Sequence, residues 1–234
     1  MTAQDDAQLA RRTWLVVPLY NEATVIASVI ENTREVFPNI VCIDDGSADD
    51  SAALAEAAGA HLVRHPINLG QGAALQTGFD WVLTYTDADW VVTFDADGQH
   101  RTEDAMAMVR CAQAGNLGFV LGSRFLADTH QAGLLKRMVL QTVAWISAKR
   151  GGLKLTDAHN GLRVLSREAL SRIHLHQNRM AHASEITTQL AHTHLPWAEM
   201  PVTIDYTEYS MSKGQSLLNG VNILTDLWFG GHKA

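Results

Sequence analysis

The feature of this sequence that most constrains its fold is a regular alternation of apolar segments and helical patterns between residues 13 and 125. Five short apolar runs predict strands, at residues 13–19, 40–44, 60–65, 88–95 and 118–125. In the segments between them, apolar residues recur every three or four positions, which predicts helices. Strands that alternate with helices at this spacing form a largely parallel sheet covered by helices on both faces. The first half of the chain therefore predicts an α/β fold.

The regular alternation of predicted strands and helices ends after residue 130. Residues 134–150 predict one amphipathic helix, and residues 131–154 contain five basic and no acidic side chains. Such a helix can lie in a membrane interface with its cations on anionic headgroups, or it can pack on the core with solvated basic ends. Both interpretations stay open. Further elements are predicted as a strand at 160–166, helices near 166–173 and 183–193, a strand at 199–206, and a helix in the tail at 216–229.

Composition and charge narrow the class of protein. The chain has 234 residues, enough for one large domain or two small ones. A formal net charge of −7 argues against a nucleic-acid partner, which requires a dense basic surface. Cys42 and Cys111 are the only cysteines and are far apart, which indicates a reducing compartment. The N-terminus lacks the apolar segment of a signal peptide, and no run of about 18 apolar residues occurs, so we expect neither export nor a membrane-spanning helix.

Polar clusters follow four of the predicted strands at the points where the strands end. They are YNE at 20–22, DDGS at 44–47, DADGQ at 95–99 and GSR at 122–124. In a parallel sheet, ligands bind at the carboxyl ends of the strands, where the connecting loops emerge. The shared position of the four clusters predicts a single nucleotide-type crevice at that edge of the sheet.

The pair Asp95 and Asp97 is the most informative part of these clusters. Strand side chains alternate between faces, so the two carboxylates should project to the same side, joined by Gln99 if the strand stays extended. Two like charges so close repel each other, and a divalent cation would remove that cost. Mg²⁺ in particular is bound by one or two carboxylates, with substrate phosphates and waters completing the shell. The alternative is a simple turn at Asp97-Gly98, with Asp95 helping to cap the helix near Thr102.

Six segments occur in an order and spacing that resemble a known family: VVPLYNE, IDDGSADDS, NLGQG, DADGQH, GSRF and DAHNGLR. They are similar to those of the family 2 glycosyltransferases of the GT-A fold. The closest subgroup resembles dolichol-phosphate mannose synthase and the bacterial polyprenyl-phosphate glycosyltransferases. The resemblance covers about residues 13–215. It implies one GT-A domain over residues 1–234, with a nucleotide-sugar half at 13–125 and an acceptor-side half at 126–234.

The resemblance also implies roles for particular residues. It assigns the nucleotide-sugar pocket to Pro18, Tyr20, Glu22, Asp44, Asp45, Gly70, Asp95 and Arg163. It assigns Mg²⁺ or Mn²⁺ binding at the donor diphosphate to Asp95, Asp97 and Gln99. It assigns catalytic roles to Asp97, Arg124, Asp157 and Glu185. Among these, Arg124 matches an arginine that faces phosphates, and Asp157 and Arg163 match a segment near the acceptor.

These residues also have purely structural interpretations. An acid of the DDGS segment could begin a turn, as Asp-Gly often does. Glu22 could be a first-turn helix acid favoured by the helix dipole, and Arg124 and Asp157 could form a structural ion pair. None of the eleven histidines has the spacing of a familiar zinc site, and His100 is interpreted as a partner of the D-x-D acids.

The chain departs from the family pattern at several positions. Gln71 stands where relatives often have lysine, and Asn160 and Leu162 replace a serine and a phenylalanine. The late segment YTEYSMSKGQS lacks an arginine that relatives carry, so another residue of this segment would have to act in its place. These differences leave the identities of the sugar and of the acceptor open.

The activity that the resemblance implies is an inverting transfer of a sugar from a nucleotide diphosphate to a lipid (polyprenyl) phosphate at the membrane surface. The alternatives are a transferase that acts on a saccharide hydroxyl and a noncatalytic protein that binds sugar nucleotides. A processive polysaccharide synthase would need a Q-x-x-R-W motif, and a nucleotidyltransferase would need a Gly-rich basic loop after the first strand; the sequence has neither. We expect a cytoplasmic protein attached to the cytoplasmic face of the inner membrane, through the lipid surface or a small membrane protein, with a homodimer as one option.

Overall fold

The central sheet draws strands from both halves of the sequence. A computed structural model describes residues 3–127, 153 and 155–205. Within them, the strands are β1 (Thr13–Leu19), β2 (Ile40–Asp44), β3 (His61–Arg64), β4 (Trp90–Thr93), β5 (Phe119–Ser123), β6 (Arg163–Ser166) and β7 (Trp197–Pro201). They form one seven-stranded sheet in the order β3-β2-β1-β4-β6-β5-β7. β6 runs antiparallel to β4 and β5, and the other described pairs are parallel, so the predicted α/β fold with a largely parallel sheet is confirmed.

Helices connect the strands in the alternating manner that the sequence predicts. In the described residues they are α1 (Ala3–Arg11), α2 (Ile26–Arg34), α3 (Ser51–Ala57), α4 (Gln71–Tyr85), α5 (Thr102–Ala114), α6 (Arg124–Ala127), α7 (Arg167–Ser171) and α8 (His182–His192). The helix α1 precedes the first predicted strand and was not predicted. It is joined to α5 by the carboxylate of Asp6, which accepts hydrogen bonds of 2.8 and 2.7 Å from the guanidinium of Arg110.

The core lies in two layers, one on each face of the sheet. Leu15 and Val17 of β1 belong to the cluster that includes α2 and α5, whereas Val16 belongs to the cluster that includes α4, α7 and α8. This division follows from the alternation of strand side chains. Each leucine or isoleucine that is fully buried in such a cluster contributes about 1.5–3 kcal/mol relative to an exposed one. The two layers thereby hold β2, β1 and β4 side by side, with their carboxyl ends at one edge.

The predicted strand at 88–95 is too long. β4 ends at Thr93, and Gly98 has a φ of 75°, so the segment that carries Asp95 and Asp97 forms a turn beyond the strand. The argument that strand alternation places the two carboxylates and Gln99 on one side is therefore wrong. The turn that the alternative interpretation placed at Asp97-Gly98 is present, and the positions of the acids depend on tertiary contacts instead.

The other differences from the predicted elements are smaller. β5 stops at Ser123, so Arg124 begins the short helix α6, and β7 lies at Trp197–Pro201 rather than at 199–206. The predicted helices at 134–150 and 216–229 lie outside the described residues. Within the described part of the chain, no helix has the length and hydropathy needed to cross a bilayer. The single domain over residues 1–234 stays a prediction.

Candidate active site

The predicted crevice lies at the carboxyl edge of β2, β1 and β4, which are neighbours in the sheet. Pro18 stands near the end of β1, and Tyr20 follows the strand with 46% of its surface exposed. The next loop residue, Glu22, donates a backbone hydrogen bond to Ser51 Oγ (2.7 Å) at the start of α3. This bond joins the loop after β1 to the loop after β2, so the polar clusters at the two strand ends share one surface.

Asp44 ends β2 with a buried carboxylate. Its Oδ1 accepts a hydrogen bond from Ser47 N (3.2 Å), and its Oδ2 lies 3.4 Å from Nε of Arg64 on β3. Gly46, inside this loop, has a φ of 74°, a backbone conformation that favours glycine. The turn interpretation of the DDGS segment is confirmed at Asp44, and its contact with a nucleotide stays a prediction.

Asp45 is also buried, and it fixes the loop that leads into α4. Its Oδ1 accepts a hydrogen bond from Leu69 N (2.9 Å), and its Oδ2 accepts one from Gly70 N (2.7 Å). The ring of His65 bridges Asp45 Oδ1 (2.7 Å from Nδ1) and Thr77 Oγ1 (2.9 Å from Nε2). Asp45 therefore positions Gly70, the residue that precedes α4. The assignment of Asp45 to the nucleotide-sugar pocket stays a prediction.

Asp95 and Asp97 lie in the turn after β4 and have different surroundings. Asp95 Oδ1 accepts a hydrogen bond from Gln71 Nε2 (3.0 Å), and Asp95 Oδ2 lies 2.9 Å from His100 Nε2. Asp97 Oδ1 accepts a hydrogen bond from Gln99 N (3.1 Å). Within the described residues, no hydrogen bond to the other oxygen, Asp97 Oδ2, is found. Both carboxylate oxygens of Asp95 therefore have a hydrogen-bond partner, whereas only one oxygen of Asp97 has a partner among the described residues.

The surrounding protein stabilises the charge of Asp95 but not that of Asp97. Burial, together with the neighbouring charge of Asp95, raises the pKa of Asp97 to about 6, and Glu22 adds to this effect. Burial also opposes ionisation of Asp95, but the hydrogen bond from His100 and the charge of Arg163 bring its pKa below the ordinary value. A divalent cation would relieve the repulsion at Asp97. No group of three or more His, Cys, Asp or Glu residues in the described part is placed to hold a metal ion. Two carboxylates whose repulsion is not compensated fit a cation that takes its remaining ligands from substrate phosphates.

Arg163 brings a buried positive charge to the same region. It begins β6, opposite Thr93 of β4, and only 3% of its surface is exposed. Burial lowers the pKa of Arg163 to about 10, against the charges of Asp95 and Asp157, so the guanidinium is still protonated at neutral pH. Within the described residues, no hydrogen bond is found for this side chain. An arginine in this state can bind an anionic group of a ligand.

Arg124 and Asp157 form a two-point ion pair, as the structural interpretation predicts. Arg124 Nε lies 2.7 Å from Asp157 Oδ2, and a terminal nitrogen lies 2.9 Å from Oδ1. Asn160 Nδ2 also approaches the carboxylate at 3.4 Å. Burial opposes ionisation of Asp157, but the hydrogen bonds and charge of Arg124 hold its pKa below the ordinary value. The carboxylate of Glu199 accepts hydrogen bonds from Thr156 N (2.8 Å) and Asp157 N (3.3 Å), which supports this segment from β7.

A comparison with protein families shows which family the chain belongs to. The model for glycosyl transferase family 2 matches residues 14–173, more than half of the chain. The chain belongs to glycosyl transferase family 2. The resemblance drawn from the six sequence segments is therefore confirmed, and the acids after β4 lie inside the matched region.

Relatives of this family 2 glycosyltransferase cover most of its length. An uncharacterized protein of Methanocaldococcus jannaschii is 35% identical over 219 residues, which are 92% of this chain and 90% of that protein. The UDP-N-acetylglucosamine–dolichyl-phosphate N-acetylglucosaminyltransferase of Methanococcus voltae is 29% identical over 232 residues, which are 90% of this chain and 92% of the relative. Glucosyl-3-phosphoglycerate synthase from Mycobacterium tuberculosis, solved with Mn²⁺, UDP and glucosyl-3-phosphoglycerate, has a TM-score of 0.66 at 17% identity and covers 100% of this chain and 86% of its own. That likeness shows a shared fold.

Of the residues predicted for the glycosyltransferase site, Glu185 is engaged elsewhere in the protein, whereas Gln99 lies beside Asp97. Glu185, in the first turn of α8, accepts hydrogen bonds from His176 N (3.0 Å) and Gln177 N (2.8 Å), so its carboxylate holds the loop before the helix. Gln99 is buried, with 7% of its surface exposed, and its carbonyl accepts a hydrogen bond from Asp205 N (2.9 Å). The catalytic role of Glu185 and the metal-binding role of Gln99 stay predictions.

Two residues of the site region were not singled out from the sequence. Gln71 was noted only as a departure from the family pattern, yet it donates a hydrogen bond to Asp95. His182 begins α8, and its Nδ1 lies 2.7 Å from the carbonyl oxygen of Arg179, which places the ring proton on Nδ1. Burial lowers the pKa of His182, and Arg163 and Asp95 lie close enough to act on it. A histidine within a helical pattern, such as His182, gives no indication in the sequence that it lies near the site. Gln71 did give one, because it departs from the family pattern in NLGQG.

Proposed function

We propose that this family 2 glycosyltransferase moves a sugar from a nucleotide diphosphate to a polyprenyl phosphate, with inversion at the anomeric carbon. The observation that carries the proposal is the partly buried pair Asp95 and Asp97 at the carboxyl edge of the sheet, with a repulsion that a cation would relieve. Family membership and the name of the Methanococcus voltae relative support both the reaction and the lipid-phosphate acceptor. The nucleotide is expected to contact residues at the strand ends and in the loops that follow them, namely Pro18, Tyr20, Glu22, Asp44, Asp45 and Gly70.

The charged groups of the site suit a reaction between phosphates. Asp95 and Asp97 would hold Mg²⁺ or Mn²⁺, with Gln99 as the further predicted ligand. When bound, the cation would neutralise charge on the donor diphosphate as the sugar leaves. Arg163 is a buried cation beside Asp95 and would bind a phosphate oxygen of the donor or of the acceptor. Arg124, which is paired with Asp157, would help to stabilise charge on the leaving diphosphate.

The state of the acidic residues favours an acceptor that is already ionised. A hydroxyl acceptor needs a general base, and an efficient base has a pKa near the working pH. Asp157 is bound to Arg124 and its pKa is held low, which makes it a weak base. Glu185 uses its carboxylate to hold backbone N–H groups. A lipid phosphate carries its own negative charge and needs no such base, so we favour it over a saccharide hydroxyl.

The acceptor proposed here places the enzyme at a membrane. We propose attachment to the cytoplasmic face of the inner membrane, either directly or through a small membrane protein, with a homodimer as a further option. Flotation of the protein with vesicles that contain or lack anionic lipid tests direct attachment. Binding only to anionic vesicles would support it, and a protein that stays unbound in both cases would point to a protein partner.

The reaction itself is tested with a panel of radiolabelled sugar nucleotides, Mn²⁺ and a membrane lipid extract. We expect one donor to label a lipid product, and we expect Asp97→Ala to abolish the labelling while the protein stays folded. Labelling of a water-soluble saccharide would favour the hydroxyl acceptor. Binding of a sugar nucleotide without transfer to any acceptor would favour a noncatalytic role, and full activity in Asp97→Ala would contradict the assignment of this acid.

A further inference from the structure

We propose that His100 and Gln71 are positioning residues that hold the Asp95 carboxylate in the orientation needed for cation and diphosphate binding. Neither residue touches the reacting atoms in this proposal; both act through Asp95. The inference rests on the metal-dependent function proposed above. It explains what keeps two neighbouring, partly buried acids in place while no ligand neutralises them.

The carboxylate of Asp95 is enclosed on three sides. Gln71 Nε2 donates to Oδ1 at 3.0 Å, and His100 Nε2 lies 2.9 Å from Oδ2. On the third side stands Gly161, where a β-carbon would fall 2.1 Å from Asp95 Oδ2. Each oxygen of Asp95 thus has its own donor, and the remaining wall is backbone. Rotation of the carboxylate would break both hydrogen bonds at once.

The surroundings of His100 determine which ring nitrogen donates. The side chain of His100 is 3% exposed, and its Nδ1 is buried without a hydrogen-bond partner among the described residues. A ring that carries one proton, on Nε2, satisfies the bond to Asp95 and leaves only a lone pair at Nδ1. Because a carboxylate oxygen only accepts, Nε2 of His100 is the nitrogen that donates to Asp95.

Gln71 reaches Asp95 because the start of α4 is fixed from two directions. The preceding residue, Gly70, donates its N–H to Asp45 and has a φ of 103°. The following residue, Gly72, donates its N–H to the carbonyl oxygen of Asn178 at 2.9 Å. A side chain at position 70 or 72 would collide with the backbone of residues 177–178, so the loop lies directly against these glycines. The first side chain of the helix is thereby aimed at the turn after β4.

The two donors have a particular effect in this position. Asp95 and Asp97 repel each other, and without fixed donors the Asp95 carboxylate would turn away from its neighbour. Gln71 and His100 resist this rotation, and the amide of Gln71 does so without adding positive charge. A lysine in place of Gln71 could still donate to Asp95, but its charge would compete with the cation. Partners that orient metal ligands typically contribute a factor of about 10–100 to metal affinity.

The test measures Mn²⁺ binding to the full chain, from the loss of the free-ion signal in electron paramagnetic resonance, with and without UDP. We expect His100→Ala and Gln71→Ala each to weaken Mn²⁺ binding by about tenfold, and Gln71→Ala, at an exposed position, to leave the metal-free melting temperature nearly unchanged. His100→Gln, which keeps an N–H donor, should recover most of the affinity. Gln71→Lys should bind Mn²⁺ more weakly than the wild type. The double alanine variant should lose less than the product of the single losses, because both bonds hold one carboxylate.

Matched controls are available on exposed helix positions. His192→Ala, at the far end of α8, and Gln8→Ala, on α1, remove the same residue types from exposed sites and should leave Mn²⁺ binding unchanged. Wild-type affinity in both His100→Ala and Gln71→Ala would overturn the proposal, as would a wild-type chain that binds no Mn²⁺ in either condition. If His100→Ala does not fold, the Gln71 variants still decide the question. Failure to find any sugar transfer, with the expected binding changes present, would count against the proposed function alone.

Discussion

Gly161 lies so close to Asp95 that a β-carbon at position 161 would stand 2.1 Å from the Oδ2 atom of the carboxylate. The glycine cannot move away easily, because its carbonyl oxygen accepts a hydrogen bond of 2.5 Å from Thr93 Oγ1 on β4. Glycine is therefore required here by close approach of two segments, and the smallest possible side chain would displace the acid.

We predict that Gly161→Ala lowers sugar transfer by about a hundredfold, because a shift of about 1 Å in a positioned group can cost that much. Mn²⁺ affinity should fall as well, whereas circular dichroism should show an intact fold. The measurement is the transfer rate at saturating Mn²⁺ beside the binding titration. An alanine variant with normal rate and normal Mn²⁺ affinity would mean that the acid tolerates displacement.

The repulsion between Asp97 and Asp95 makes a prediction about stability. Because Asp97 has its pKa raised from 3.8 to about 6, its ionised form destabilises the metal-free protein at neutral pH. Asp97→Asn keeps an oxygen for Gln99 N and removes the charge. We expect the metal-free variant to be more stable by about 1–3 kcal/mol in urea unfolding at pH 8, and to lose transfer activity. Equal stability of the two proteins at pH 8 would show that the charge of Asp97 is already compensated.

The ion pair of Arg124 and Asp157 predicts a dependence of stability on pH in the acid range. Arg124 outweighs burial and lowers the folded-state pKa of Asp157 below 3.8. Its contribution is therefore fully present above the unfolded pKa and is lost as pH falls through the lowered folded value. Between pH 6 and pH 3, the free energy of unfolding should fall less steeply in Asp157→Asn and in Arg124→Gln than in the wild type. Parallel curves for all three proteins would contradict the assignment.

Local patterns predicted the fold well and the contacts of the site poorly. The bounds of β1 and β2 agree with the predicted segments because each is a run of apolar residues that ends in polar ones. The sequence could not reveal that β6 runs antiparallel, because strand direction depends on the long connection before it. The ion pair of Arg124 with Asp157, 33 positions apart, was only one of the interpretations that the sequence allowed, since no periodic pattern links two such residues. The acids after β4 were found, but the reason for their positions lies in tertiary contacts.

The packing of α4 on the sheet predicts how Gly78→Ala changes stability, where helix propensity and overpacking act in opposite directions. In an exposed helix, Gly→Ala is stabilising by about 0.5–1 kcal/mol. At Gly78, however, a β-carbon would lie 2.3 Å from Val16 Cγ1, so overpacking should dominate. We expect Gly78→Ala to destabilise the protein by about 1–3 kcal/mol in urea unfolding. Combination with Val16→Ala, which removes the opposing methyl groups, should cost less than the sum of the two single variants. Strict additivity would show that the clash is relieved elsewhere.

The two cysteines should differ sharply in reactivity. Cys42, in the centre of β2, has no exposed surface, and burial raises its pKa to about 12. Cys111, on α5, is only partly buried. Because the thiolate is the reactive form, a disulfide reagent at pH 8 should modify Cys111 in the native protein and leave Cys42 untouched. In the variant Cys111→Ser, the remaining thiol should react no faster than the protein unfolds, and addition of urea should release it. Rapid modification of that variant without denaturant would mean that β2 opens locally, and with it the strand that positions Asp44 and Asp45.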